Sequence, residues 1–316
     1  MPLLPAESIR STAARISPFV KRTRIVRSDG LSRLTKCDVR LKLENEQITG
    51  SFKVRGAMNV IASLSAGVRA RGVVASSAGN HGLGVAYAAK HFGVGATIFI
   101  PSNAPKVKRD GIVALGATVD EAQPHYDAAM DAAKAFAAAQ GSIYINPCLG
   151  DDLLAGQGTV ALEILADCPG LRTLVVSVGG GGLLGGCASL LREVAPTVRI
   201  IGVQSENTAA MSRSMAAGKL VEIQNLPTLA EGLAGQIDED GLSIGRAGLD
   251  QIVTVTEVEI GRGILWLLDQ HGIKVEGAGA VGVAAILAAK LATDGETVVV
   301  ISGGNIDAAV IDRLHL

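Results

Sequence analysis

Short apolar strands alternate with helical stretches along most of this chain, and this alternation limits the fold more than any other feature. Val39–Leu43 alternates in hydropathy, which predicts a strand, and eight further strand signals follow it. Helical stretches between nearly all of them favour parallel sheets covered by helices on both faces. Nine strands are too many for one small sheet, so we expect an α/β protein with two parallel-sheet, three-layer αβα domains. The later predicted strands are 72–76, 96–101, 118–119, 143–145, 173–178, 198–203, 252–255 and 297–301.

The composition argues against several classes of protein. Hydrophobic residues make up 48% and charged residues 19% of the 316 residues, and the formal net charge is −1. A large core is therefore expected, with no nucleic-acid partner and no membrane partner. The start of the sequence lacks the pattern of a signal peptide. The four cysteines are far apart and have no histidine nearby, which is typical of buried thiols in a reducing cytoplasm. We expect a cytoplasmic protein.

A lysine stands directly after an aromatic residue, where the predicted strand Val39–Leu43 gives way to a helix. Residues 49–51 offer capping oxygens, and the pattern predicts a helix from about Lys53 to Leu64. Lys53 after Phe52 can be read as an ordinary residue at a helix start. It can also be read as a buried amine that forms a Schiff base with an aldehyde cofactor.

Residues 77–82, Ser-Ala-Gly-Asn-His-Gly, join a predicted strand to a predicted helix. At such a turn, free backbone N–H groups and the positive end of the helix face the same ligand. Ser77 and Asn80 add side-chain donors, so the turn suits a carboxylate or a phenolate oxygen. A plain helix cap with turn glycines and a packed His81 is the alternative.

Four consecutive glycines, 179–182, follow the predicted strand 173–178 and precede a predicted helix. Without β-carbons the backbone can approach a phosphate and present several N–H groups to it. Gly180 to Gly185 also matches the glycine pattern of dinucleotide sites, which leaves a nicotinamide-binding oxidoreductase open. That pattern calls for an acid about 20 residues later, and Glu206 comes slightly late.

Three weaker signals lie further along the chain. Ser302 follows the last predicted strand, where a hydroxyl can hydrogen-bond an aromatic ring nitrogen. Glu276 precedes a predicted helix and is either an ordinary first-turn acid or a residue near a cofactor ring. The loop that contains Gly232 can contact a cofactor through its backbone. Together with Lys53 and the two turns, these parts fit pyridoxal phosphate.

Four motifs carry a family resemblance that covers almost the whole chain. They read Ser-Phe-Lys-x-Arg-Gly-Ala, Ser-Ala-Gly-Asn-His-Gly, Gly-Gly-Gly-Gly-Leu-Leu and Ser-Gly-Gly-Asn, in that order. The chain resembles the fold-type II pyridoxal-phosphate enzymes, above all threonine and serine dehydratases (ammonia-lyases), with serine racemase as a relative. The resemblance implies a small mobile domain, residues 46–142, inserted in a large cofactor-binding domain, residues 1–45 plus 143–316.

The resemblance also implies roles for individual residues. Lys53 would bind the cofactor's aldehyde carbon and act as the catalytic base and acid. Asn80 would contact the cofactor's 3-oxygen, and Ser302 its ring nitrogen. The remaining cofactor contacts implied are Phe52 against the ring, Gly179, Gly180, Gly181, Gly182 and Leu183 at the phosphate, and Gly232 and Glu276 nearby. The substrate carboxylate would lie on Ser77, Ala78, Gly79, Asn80 and His81.

Two departures narrow the activity within the family. Serine racemases carry a second serine where this chain has Ala78, and a methyl group cannot deliver a proton, so elimination is favoured. Relatives that bind a divalent cation do so with acids, whereas this chain has Gln204 and residues 209–210, Ala-Ala, so we expect no metal. The sequence ends soon after the last strand, so we also expect no regulatory domain of the biosynthetic type.

We therefore expect a homodimeric dehydratase that converts L-threonine, L-serine or both to a 2-oxo acid and ammonia. Several alternatives stay open: another 3-hydroxy amino acid of the phenylserine or hydroxyaspartate type, a step in hydroxyectoine breakdown, and serine racemisation. Outside this class, the nicotinamide-binding oxidoreductase and a non-catalytic protein that binds pyridoxal phosphate remain.

Overall fold

The computed structural model describes residues 3–224 and 226–315, and the strands of these residues form two sheets. Nine of the ten strands correspond to the predicted ones, with ends shifted by up to four residues. The strands are β1 (Ile25–Arg27), β2 (Val39–Leu43), β3 (Val73–Ser76), β4 (Ala96–Pro101), β5 (Thr118–Gln123), β6 (Ile143–Tyr144), β7 (Leu171–Ser177), β8 (Arg199–Ser205), β9 (Gln251–Val255) and β10 (Glu296–Ile301).

The larger sheet has the order β1-β2-β10-β7-β8-β9. Its strands are parallel except for β1, which pairs antiparallel with β2 at the edge. The sequence did not predict β1, because three residues are too few to show an alternation of hydropathy. The sheet is thus almost, but not wholly, parallel.

Helices connect the strands and cover both sheets. Their ends follow local signals: in α12, Thr256 and Glu259 form a reciprocal capping box that satisfies the first N–H groups. The helices are α1 (Ala6–Ile16), α2 (Asp29–Thr35), α3 (Lys53–Ser63), α4 (Ala66–Arg69), α5 (Asn80–Phe92), α6 (Lys106–Ala114), α7 (Tyr126–Gln140), α8 (Asp151–Asp167), α9 (Gly182–Val194), α10 (Ala210–Ala217), α11 (Glu239–Gly248), α12 (Glu257–His271), α13 (Gly277–Leu287) and α14 (Ala308–Leu314).

The larger sheet is buried on both faces. Along β10, Val298 and Val300 belong to the core shared with α1, α8 and α9, whereas Val299 and Ile301 belong to the core shared with α12 and α13. Successive side chains of a strand point to opposite faces, so this division is what a central parallel strand requires.

The smaller sheet is fully parallel, with the order β5-β4-β3-β6. On one face, Ala75 shares a core with Met58 of α3, Val85 of α5 and Ile112 of α6. On the other face, Val74 packs with α7. Each sheet is therefore the middle of three layers, and the predicted α/β class with two αβα sheets is confirmed.

Helices α3 and α8 pack at close range. A β-carbon built on Gly156 of α8 lies 2.5 Å from the Cα of Gly56 in α3 and 2.6 Å from the backbone oxygen of Arg55. The side chain of Gln157 accepts a hydrogen bond from the backbone N–H of Gly56 at 3.2 Å. The helix that begins at Lys53 is thus fixed against a helix of the larger sheet.

Four ionisable side chains, one of them from α3, form what we call the buried ion cluster: Lys42, Glu44, Arg55 and Glu163. Arg55 is fully buried and donates to Glu44 at 2.8 Å and to Glu163 at 2.7 Å. Lys42, also fully buried, pairs with Glu163. The hydrogen bonds from Arg55 hold the pKa of Glu163 below its usual range although burial alone would raise it. Two cations and two anions leave the cluster with no net charge.

Within residues 3–224 and 226–315, none of the helices combines the length and the hydropathy that crossing a membrane requires.

Candidate active site

Lys53, the first residue of α3, lies beside the turn that follows β10. The backbone N–H of Phe52 donates to the backbone oxygen of Ser302 at 3.1 Å, and Ser51 and Gly303 form an isolated β-bridge. Two of the four motifs, from opposite ends of the chain, are therefore joined by backbone hydrogen bonds.

The amine of Lys53 faces the loop between β6 and α8. Its Nζ donates to the backbone oxygen of Pro147 at 2.6 Å and lies 5.3 Å from the centre of the Phe52 ring. The residue is half-buried, while Phe52 is 8% exposed. A lysine held by a single neutral carbonyl can be released to a ligand without leaving an ion pair broken.

The same loop borders the glycine turn between β7 and α9. A β-carbon on Gly180 would lie 2.7 Å from Sγ of Cys148, and one on Gly182 would lie 3.1 Å from the Cys148 backbone oxygen. Gly181 has a φ of +100°, a conformation that favours glycine. Residues Pro147 and Cys148 thus form a shared wall between the lysine and the glycine turn.

The glycine turn fits a phosphate. It leads into the N-terminus of α9, where the first N–H groups have no partner inside the helix and the dipole favours an anion. The side chain of Leu183 is 3% exposed and belongs to the core, so only its backbone can face a ligand. Side chains at Gly180 and Gly182 would press against Cys148, so the glycines let the two loops approach closely and leave a cradle lined by backbone.

A short 3-10 helix, Glu231–Leu233, lies in space between the glycine turn and Glu276. A β-carbon on Gly179 would lie 3.1 Å from the Cα of Leu233, and one on Gly232 would lie 3.9 Å from Oε1 of Glu276. The predicted contacts Gly179, Gly232 and Glu276 are therefore neighbours, although the sequence separates them widely.

Asn80, Glu276 and Asn305 form a hydrogen-bonded set that we call the amide–carboxyl network. Nδ2 of Asn80 donates to Oε1 of Glu276 at 2.7 Å, and Nδ2 of Asn305 donates to Oδ1 of Asn80 at 2.7 Å. Burial raises the pKa of Glu276 to about 7, although the hydrogen bond from Asn80 opposes the shift. Glu276 precedes α13 but makes no side-chain cap there, so its role is not that of an ordinary first-turn acid.

The turn after β3 has a compact geometry. Ser77 accepts a hydrogen bond on its hydroxyl from the backbone N–H of Gly79 at 3.2 Å. A β-carbon on Gly82 would lie 2.1 Å from the Ser77 backbone oxygen, so the turn can close only with glycine there. Ala78 is partly buried and packs on the core of the smaller sheet. The start of α5 at Asn80 supplies outward N–H groups for an anion.

The surroundings of His81 favour a neutral ring. Its ring is 3% exposed, and Nε2 donates to the backbone oxygen of Ile145 at 2.9 Å. Burial, and then the charge of Lys53, lower the pKa of His81 to about 3. The ring is therefore neutral near pH 7, and the turn offers dipoles rather than a positive charge to a carboxylate.

Ser302 lies at the end of β10 and is 3% exposed. Its hydroxyl donates to the backbone oxygen of Ala278 at 3.3 Å, a long bond in the region of Glu276 and Gly303. The contact of Ser302 with a ring nitrogen stays a prediction, as do the individual roles of the other predicted site residues.

Three neighbours of the site have no assigned role in the sequence reading. Asn305 belongs to the Ser-Gly-Gly-Asn motif, which was the signal that could have assigned it to the site. Pro147 and Cys148 carry no motif, and only the fold brings them beside Lys53.

Gln204, at a position where cation-binding relatives carry an acid, is 1% exposed and accepts from the backbone N–H of Ser212 at 2.9 Å. Among the described residues, no three His, Cys, Asp or Glu side chains cluster as metal ligands.

Comparisons with known proteins agree with this arrangement. The family model of the pyridoxal-phosphate dependent enzymes matches residues 16–304. The L-threonine ammonia-lyase of Thermotoga maritima is 43% identical over 314 residues, which cover 99% of this chain and 78% of the relative.

Solved structures show the same fold. Serine racemase from maize matches with a TM-score of 0.94 and 30% sequence identity. The match covers 99% of this chain and 97% of the racemase chain. The processed threonine deaminase isoform 2 of Solanum lycopersicum has a TM-score of 0.91 and 29% identity, with 98% and 86% covered. These matches confirm the resemblance drawn from the four motifs and favour pyridoxal phosphate over a nicotinamide cofactor. The chain belongs to the pyridoxal-phosphate dependent enzymes.

Proposed function

We propose that this protein is a threonine/serine dehydratase, which eliminates water from L-threonine, L-serine or both and releases a 2-oxo acid and ammonia. The observation that carries the proposal is that the segment of Lys53 adjoins the Ser302 turn, while the Lys53 amine contacts the loop that borders the glycine cradle. The relatedness to L-threonine ammonia-lyase over nearly the whole chain supports this choice of reaction.

The residues of the site fit the cofactor. Lys53 would bind its aldehyde carbon, the backbone from Gly179 to Leu183 would bind its phosphate, and Phe52 would lie against its ring. Asn80 would donate to its 3-oxygen, and Ser302 would face its ring nitrogen. When bound, pyridoxal phosphate withdraws electrons from the substrate's Cα, which makes the proton there removable.

Lys53 moves the proton. As a free amine, Nζ of Lys53 would act as the general base that takes the proton from the substrate's Cα and later returns it as a general acid. The carbonyl of Pro147, 2.6 Å away, orients the amine without neutralising it. The β-hydroxyl then takes up a proton and leaves as water. A water molecule hydrolyses the resulting enamine, which restores the oxygen and releases ammonia, so threonine gives 2-oxobutanoate and serine gives pyruvate.

The substrate carboxylate lies on the turn of Ser77, Ala78, Gly79, Asn80 and His81. Backbone N–H groups at the start of α5 and the helix dipole bind it. The neutral His81 ring fixes the turn through its bond to Ile145. Charge at the carboxylate is therefore balanced by dipoles.

Ala78 directs the site toward elimination. By family resemblance, this position carries a serine in the racemases, where it transfers a proton on the face opposite the lysine. A methyl group has no proton to give, so a substrate that has lost its Cα proton expels the hydroxyl. The likeness to maize serine racemase nevertheless keeps racemisation as the second candidate function. Bulkier 3-hydroxy amino acids, and hydroxyectoine breakdown, remain alternative substrates and settings for the same elimination.

Three further properties belong to the proposal. Residues 46–142 form the small mobile domain inserted between residues 1–45 and 143–316. The enzyme is a cytoplasmic homodimer. It works without a divalent cation, because the amide of Gln204 is engaged with Ser212 and supplies no carboxylate.

The test uses the purified protein. We expect a visible absorbance band that borohydride abolishes, and 2-oxo acid formation from L-threonine or L-serine. Chelator should leave the activity unchanged, and D-serine should not accumulate from L-serine. A colourless protein that stays inactive after pyridoxal phosphate is added contradicts the proposal, whereas rapid racemisation with little 2-oxo acid favours the second candidate.

A further inference from the structure

The carboxamide of Asn80 is bonded at both ends before any ligand is considered. Its Nδ2 donates to Glu276, and its Oδ1 accepts from Asn305. Asn305 is itself anchored, because its Nδ2 also donates to the backbone oxygen of Thr49 at 2.8 Å. The position of Asn80 is therefore linked to the start of the segment that carries Lys53.

These two bonds determine which way the amide faces. The reverse orientation would set Nδ2 of Asn80 against Nδ2 of Asn305, which the bond to Thr49 holds in place, and would set Oδ1 of Asn80 against the Glu276 carboxylate. An amide nitrogen carries two N–H groups, and only one is used by Glu276. The second N–H therefore has a fixed direction and remains for another acceptor.

Glycines make room for this arrangement. A β-carbon on Gly303 would lie 2.4 Å from Oε1 of Glu276 and 3.1 Å from Nδ2 of Asn80. A β-carbon on Gly50 would lie 2.3 Å from Oδ1 of Asn305. Two turns far apart in sequence thus leave the space that the amide–carboxyl network occupies.

We propose that Glu276 and Asn305 are positioning residues, which act on the cofactor through Asn80 by holding its free N–H toward the 3-oxygen of pyridoxal phosphate. This inference rests on the proposed cofactor contact of Asn80 and gives Glu276 an indirect role in place of a direct contact with the ring. The network fixes a donor whose direction would otherwise be free.

The test compares the affinity of the protein for pyridoxal 5'-phosphate and for its 3-deoxy analogue, measured by absorbance titration of the cofactor-free protein. A single hydrogen bond gives about tenfold discrimination in the wild type. Asn80→Ala abolishes it, and Glu276→Leu and Asn305→Ala reduce it to about threefold or less. Glu276→Gln, which keeps an acceptor oxygen, restores part of it. A purely structural effect would weaken both ligands equally and leave the ratio unchanged.

Asn45→Ala is the matched control. Asn45 is another asparagine beside Gly304, and its Nδ2 donates to the backbone oxygen of Lys274 at 3.2 Å. We expect it to keep the full discrimination. Wild-type discrimination that survives in both Glu276→Leu and Asn305→Ala overturns the inference, and so does a wild type that binds both ligands equally. A wild type that discriminates but forms no 2-oxo acid instead contradicts the proposed function and leaves the inference intact.

Discussion

Two lysines near the site, Lys42 and Lys53, have opposite surroundings. Lys42 is fully buried and is neutralised by Glu163, and it also donates to the backbone oxygen of Thr23 at 2.9 Å. Lys53 is half-buried and donates to one backbone oxygen, that of Pro147. The two lysines lie on adjacent segments of the chain, yet only the second has an amine that can change partners at low cost.

The contrast extends to the polar groups around each lysine. In the buried ion cluster every charge has an opposite charge, and removing one partner leaves another uncompensated. In the amide–carboxyl network the groups are neutral or near their pKa, and an N–H group of Asn80 is left for a ligand. The first region holds α3 in place, and the second can respond to what binds. Stability and function are therefore carried by different sets of polar groups.

The largest expected effect comes from breaking the buried ion cluster. Arg55→Met leaves the carboxylates of Glu44 and Glu163 without their main partner, and we expect a loss of about 3–5 kcal/mol in the free energy of unfolding, measured in urea. Arg10→Met is the control, because Arg10 is exposed and lies 3.8 Å from Glu7; it should change stability by less than about 0.5 kcal/mol. Equal effects of the two substitutions would contradict a structural role for the cluster.

A second substitution tests the close packing behind Lys53. Gly156→Ala forces a methyl group against Gly56 and Arg55, and we expect a loss of about 1–3 kcal/mol in unfolding free energy. Gly67→Ala, in α4 with nothing within 4 Å of the added carbon, should instead stabilise by about 0.4–1 kcal/mol. Thermal or urea unfolding distinguishes the two, and a neutral Gly156→Ala would show that α3 and α8 separate easily.

The pH dependence of stability tests the neutral His81. Its folded pKa, about 3, lies below the ordinary 6.5, so between these values the unfolded chain binds a proton that the folded protein does not. The contribution of His81 to the free energy of unfolding is therefore full above about pH 6.5 and falls as the pH falls toward 3, by up to about 1.4 kcal/mol per pH unit. His81→Asn should flatten this slope, while His91→Asn, at an exposed position, should keep it. A slope that survives His81→Asn must come from other groups.

The smallest effect is expected at the rim of the site. Nζ of Lys108, in α6, lies 2.6 Å from Oε2 of Glu231, and both side chains reach solvent. Lys108→Met should cost less than about 1 kcal/mol, because exposed ion pairs are weak, and the difference should vanish at 1 M salt. A loss of several kcal/mol that persists in salt would contradict the weakness expected of an exposed ion pair.

The sequence predicts the sheets better than the site. Strands such as Val39–Leu43 and 297–301 are long and regular enough to be recognised from hydropathy, whereas β1, with three residues, is not. Glycine runs and the lysine motif point to a cofactor because they depend on local chemistry. The neighbours contributed by distant loops, Pro147 and Cys148, become visible only when the chain is folded.

Pairs of buried polar side chains are the second kind of feature that the sequence does not predict. Arg55 belongs to the lysine motif, yet the neighbouring sequence does not indicate that Glu44 and Glu163 pair with it. The bond between Asn80 and Glu276 likewise spans most of the chain, and the turn of Asn80 alone gives no hint of it. His81 is the converse case, because its place in the turn favours a ligand contact while its ring is directed into the core.

The most direct test asks which lysine takes the cofactor. The protein with bound pyridoxal phosphate is reduced with borohydride and digested, and the modified peptide is identified by mass. The surroundings of the two lysines predict that the cofactor is attached to Lys53, and that Lys53→Ala removes both this adduct and the visible absorbance. Attachment to Lys42 or to another lysine, or an unchanged spectrum in Lys53→Ala, would contradict the account.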